Sequence, residues 1–153
     1  RRFAGFALAN LTMSEACKKA ILAEAGPQFF VGFPMDLVSQ RVAALCLSEL
    51  VENEENQLGL LRSPDFPHTL QVLKHMTRSY DGLCRYLSTK TLQLLASPDD
   101  AAARAALLAG GLLETFFRAL RTEADRNIKQ KALLGIFSLS QRQEQLLAYR
   151  TRE

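Results

Sequence analysis

The chain has 153 residues, 48% of them hydrophobic and 23% charged, which suits one domain with a sizeable core and excludes a disordered segment. Its net charge of +3, from 19 basic and 16 acidic residues, falls short of the clustered basic face that nucleic acid requires. No apolar run approaches the roughly 20 residues that cross a bilayer, and Cys17, Cys46 and Cys84 lie too far apart for a disulfide framework or a zinc site.

The opening residues are already amphipathic, which disfavours a signal peptide, and an arginine in first place points to an excised piece of a longer chain. Small thiols without a C-x-x-C pair read as buried hydrophobes in a reducing compartment. The expected location is therefore intracellular, cytoplasmic or nuclear, with no membrane segment.

In chain order, apolar residues spaced by 3 and 4 and interrupted by Gly and Pro predict helices over about 1–12, 14–25, 27–32, 35–52, 54–63, 66–77, 80–97, 99–109, 111–121 and 124–141. A frayed tail is expected from 143. Alternating stretches of strand type are absent, so the fold class is all-α. The acids of Glu52-Asn53-Glu54-Glu55 fall at a turn between helices, where they favour the next helix's N-terminus. Ser97-Pro98-Asp99-Asp100 offers an N-cap, a proline at the first helical position and acids in the first turn. Thr122-Glu123-Ala124-Asp125 resembles a capping box opening the last long helix.

The helix lengths carry a rhythm of two short and one long. Aligning the long helices superposes Leu8-Ala9-Asn10-Leu11, Leu47-Ser48-Glu49-Leu50, Leu92-Gln93-Leu94-Leu95 and Ile136-Phe137-Ser138-Leu139, at successive offsets of 39, 45 and 44 residues (8 to 47, 47 to 92, 92 to 136). The breaks Ala25-Gly26-Pro27, Pro64-Asp65-Phe66 and Gly110-Gly111-Leu112 recur with them. A three-helix unit every ~40–47 residues has the HEAT/armadillo period. The expected domain is a single array over 1–153: a partial unit at 1–12, units over about 14–52, 54–97 and 99–141, and a C-terminal helix over 143–153.

With these features the chain resembles the armadillo-repeat family. Ile21-Leu22-Ala23-Glu24-Ala25-Gly26 and Ala106-Leu107-Leu108-Ala109-Gly110-Gly111 look like that family's junction between first and second helices. Phe6-Ala7-Leu8-Ala9-Asn10-Leu11 looks like its third-helix motif. The resemblance implies a right-handed α-solenoid of about three full units and a partial one, with the third helices lining a concave side. At the position of Asn10 the later units carry Glu49, Leu94 and Ser138, and at that of Phe6 they carry Leu45, Lys90 and Leu134. The row of asparagines that holds a peptide backbone in some family members is thus not continued.

Catalytic signatures are missing. His68 and His75 lie seven apart on one predicted helix, about 10 Å along its axis, with no third ligand in a metal-binding pattern. No phosphate-binding glycine loop follows a strand, because no strand is predicted. No enzyme activity, metal or cofactor is expected.

What remains is binding. Residues four and eight before the Asn10 position share its helix face. The register therefore nominates Arg2, Phe6 and Asn10, then Arg41, Leu45 and Glu49, then Tyr86, Lys90 and Leu94, then Gln130, Leu134 and Ser138; the three leucines also suit packing between units. Arginine and aromatic residues are enriched at protein interfaces. The favoured expectation is a non-catalytic scaffold that binds a segment or domain of another protein. A second is a structural segment that stacks on further units or self-associates through an uncapped N-terminal end bearing Phe3, Phe6 and Leu8. A third, nucleic-acid binding, is disfavoured because equivalent positions differ in every unit, whereas base-reading repeats reuse them.

Overall fold

The computed structural model describes residues 37–150, with side chains at 37 and 40–140. The readings that fall on residues 1–36, including Arg2, Phe6, Asn10 and the N-terminal stacking end, lie outside the described residues. All regular structure among the described residues is helical: α1 Leu37–Leu50, α2 Glu54–Leu61, α3 Phe66–Met76, α4 Gly82–Leu95, α5 Ala101–Ala109, α6 Leu112–Thr122 and α7 Arg126–Arg150.

Short polar side chains set the helix starts. Asn53 Oδ1 accepts the Asn56 amide at 2.8 Å to open α2, and Asp81 Oδ2 accepts the Cys84 amide at 3.0 Å to open α4. Two expected caps shift along the chain. Ser97 donates to the Leu94 carbonyl at 2.6 Å and so closes α4, while Asp100 accepts the Ala103 amide and opens α5 at Ala101. Thr122 likewise belongs to the end of α6, donating to the Arg118 carbonyl, and Asp125 accepts the Asn127 amide at the start of α7. An aspartate wins both contests because its carboxylate also meets the positive end of the helix. The expected break near 142 is absent. No Gly or Pro follows Gly135, and α7 runs on as one helix to Arg150.

The three long helices α1, α4 and α7 lie side by side, with α4 packed against both of the others. The shorter α3 packs on α4, and α6 on α7. Each of the two units described in full, α2–α4 and α5–α7, is thus a pair of short helices supporting a long one, and burial follows the same period. Leu50, Leu95 and Leu139, spaced by 45 and 44 residues, are each 1% exposed. Burying one such side chain is worth about 1.5–3 kcal/mol.

Two glycines set how closely the helices approach. Gly111 has φ +81°, a left-handed conformation that costs a side-chain residue energy, and it turns the chain from α5 into α6. Gly135 in α7 leaves room for the buried ring of Phe116 in α6.

Candidate partner-binding face

The residues nominated by register fall into three columns, one on each of the side-by-side long helices. In α1 these are Arg41, exposed, with Leu45 and Glu49 half-buried; in α4 Tyr86, Lys90 and Leu94, all half-buried; in α7 Gln130 and Leu134, exposed, with Ser138 half-buried. None of the nine is buried. The columns are not equally free, however. Leu94 packs against the main core, and Leu45 and Tyr86 pack against Ala44, Met76 and Leu87 at the joint between α1 and the next unit.

The two cations of this face are already engaged across that joint. Arg41 Nη2 donates to Asp81 Oδ1 at 2.7 Å and its Nε to Asp81 Oδ2 at 3.1 Å, a two-pronged fork. Lys90 Nζ lies 2.7 Å from Glu52 Oε1. The fork from Arg41, with the Cys84 amide, holds the Asp81 carboxyl well below the usual carboxylate range, and Arg41 is raised in turn. Burial by itself lowers Lys90, but the hydrogen bond and charge of Glu52 outweigh it and the net displacement is upward.

Two further pairs repeat the pattern at the next joint, between the unit of α4 and the unit of α7. Arg85 Nε donates to Glu123 Oε1 at 2.7 Å, and Arg62 Nη2 to Asp100 Oδ2 at 3.0 Å. All four pairs join residues 38 or 40 positions apart, close to one unit. The acidic halves Asp81, Glu52, Glu123 and Asp100 were not nominated from sequence. Their signal is there as opposite charges one unit apart, but it emerges only once the units are known to stack in register.

Other functional candidates resolve simply. Cys46 and Cys84 are fully buried, and burial pushes the Cys84 thiol up to about 12. His68 and His75 are both exposed on α3. No described helix is long and apolar enough to cross a membrane.

No family model and no curated protein matches the chain. Solved structures do share its fold. One engineered protein from the Northeast Structural Genomics Consortium superposes on 92% of the chain with a TM-score of 0.78 at 22% identity. A second covers 90% at a TM-score of 0.76 and 22% identity, and a third 92% at 0.76 and 21%. The chain spans 56%, 33% and 57% of these proteins' own lengths. At such identity the likeness speaks for the fold alone, an all-α helical repeat.

Proposed function

We propose that the chain is an armadillo-like, right-handed helical array that acts as a non-catalytic interaction scaffold, taking a segment or domain of another protein along a concave face made by its long helices. The observation that supports this reading is that α1, α4 and α7 pack side by side and all nine described register positions on them stay at least partly open. Tyr86 on the middle helix would supply an amphipathic anchor, and Gln130 and Ser138 hydrogen-bonding groups. Arg41 and Lys90 act first as ties between units, so their substitution would disturb the platform along with any contact. A cleaner test uses peptides selected from a displayed library on the intact chain. Gln130→Ala with Leu134→Ala, both at exposed positions, is expected to weaken the selected binders at least about tenfold, in the range of an interface anchor. Binders that ignore this pair and also ignore Ser138→Ala would reject the reading.

A second reading, a stacking or self-associating array segment, draws on α7. At positions 44, 89 and 133, offset by 45 and 44 residues, Ala44 is 0% and Thr89 1% exposed, whereas Leu133 is 59% exposed. In the register of 48, 93 and 137, Ser48 is buried, Gln93 half-buried and Phe137 57% exposed. Positions covered wholly or in part in α1 and α4 thus carry large bare hydrophobes in α7, the kind of face another helical unit would cover. Sedimentation at rising concentration separates the possibilities. Association abolished by Leu133→Glu with Phe137→Glu supports self-stacking, and a strict monomer argues against it.

A further inference from the structure

Between α3 and α6 lies an open groove of about 300 Å³, lined by Gln71, Lys74, His75, Arg78, Thr115 and Arg118. No residue of α1, α4 or α7 lines it, so it is separate from the long-helix face. Nor does any acid: two arginines and a lysine share one small hollow. Like charges gathered this way repel, and the repulsion falls when an anion enters.

Of the eight arginines with described side chains, four are tied to acids and four, Arg78, Arg118, Arg121 and Arg126, are not. Arg41, Arg62, Arg85 and Arg104 each hold an acid. Among the described residues, the side chains of Arg78, in the turn after α3, and Arg118, on α6, hold none, and both guanidinium forks line the groove. Lys74 is fixed in place: its Nζ donates to the Gly110 carbonyl at 2.7 Å, which leaves two of its three donors unused. Gly111 makes room for that ammonium, since a Cβ there would stand 3.0 Å from Nζ. Glu114 is the nearest acid on α6, its Oε2 3.7 Å from the same point, and it forms no ion pair among the described residues. Thr115 Oγ1 donates to the Gly111 carbonyl at 3.0 Å, so its one donor is taken and the groove's free donors are those of Lys74 and the two arginines.

We propose that this groove is a binding site for a phosphate monoester. Two guanidinium forks and an anchored ammonium match a dianionic tetrahedral group better than a single carboxylate, because each fork can take two oxygens while the lysine supplies a point charge. A phosphorylated side chain of a protein segment and a small free phosphate compound present the same group, and the assay distinguishes them.

The test titrates the intact chain with a fluorescent peptide carrying one phosphoserine, with its unphosphorylated twin, and with inorganic phosphate as competitor. The phosphopeptide is expected to bind and the twin to bind at least about tenfold more weakly, as befits charge-assisted contacts. Arg78→Ala with Arg118→Ala should cost a similar factor, with an unchanged melting curve. Arg121→Ala with Arg126→Ala removes the same charge from exposed positions outside the groove and should leave binding intact. Phosphate that competes at the peptide's own affinity assigns the site to free phosphate, and much weaker competition assigns it to a phosphorylated segment; both support it. Equal binding of the twin, no binding by either phosphate form, or equal losses in the two double variants would overturn it. The readout is independent of the long-helix face, so Gln130→Ala with Leu134→Ala should leave phosphate binding unaltered whatever it does to other partners.

Discussion

Arg41 and Asp81, 40 residues apart, are joined by two hydrogen bonds of 2.7 and 3.1 Å, and the same carboxylate caps the N-terminus of α4 through the Cys84 amide. One aspartate thus starts a helix and ties it to the preceding unit. Its folded-state pKa is depressed, so its contribution to stability is present above the unfolded value of about 3.9 and is lost as pH falls toward the folded one. Asp81→Asn is expected to lower the melting temperature at pH 7, with the gap to the parent chain narrowing as pH falls from about 5 to 2. Thermal melts across that range check it, and a gap that widens on acidification would contradict the assignment.

Gly135 should not tolerate a methyl group. A Cβ there would stand 2.4 Å from Cε2 and Cζ of Phe116, a ring that is 0% exposed and has nowhere to retreat. The gain in helix propensity from Gly to Ala, about 1 kcal/mol, opposes an overpacking cost of about 1–3 kcal/mol. Gly135→Ala is expected to destabilise on balance, and Phe116→Leu in the same chain to recover part of that loss. Urea titration of the two single variants and the double variant measures the coupling.

Gln57 is a buried polar residue with a structural task. Its Nε2 donates to the Val51 carbonyl at 2.8 Å, closing the turn between α1 and α2 from inside the protein. Gln57→Leu removes the donor and leaves that buried bond unmade, at a cost of about 1–3 kcal/mol. Denaturant unfolding would show it as a lower midpoint with unchanged slope.

Cys46 and Cys84 should be silent to alkylation in the native chain. Both are 0% exposed, and the Cys84 thiol, pushed up to about 12, carries almost no thiolate at pH 8. Peptide-level mass spectrometry after iodoacetamide should find both unmodified in buffer and modified in denaturant.

The helix spacing was legible because apolar periodicity decides burial, and Leu50, Leu95 and Leu139 occupy one register for one reason. The register also selected residues that remain open, from Arg41 to Ser138. Cap positions were less legible. Ser97 and Thr122 have the right chemistry, but which hydroxyl or carboxylate opens a helix depends on where the previous helix ends. The cross-unit pairs and the Lys74–Arg78–Arg118 groove were not legible. They depend on which faces of α1, α3, α4 and α6 meet, and a single helix's periodicity carries no information about its neighbour's rotation.

The ties between units, from Lys74 and Gly110 at 36 residues' separation to Arg41 and Asp81 at 40, all close loops of nearly the same length. Loop-closure entropy grows only slowly with length, and here each joint meets about the same modest demand. The ties reach about one unit along the chain, so the chain can assemble outward from any unit that forms first. Damage at one joint weakens its immediate neighbours and fades beyond them, and a chain lengthened by a unit would close one more loop of the same size without reopening those already made.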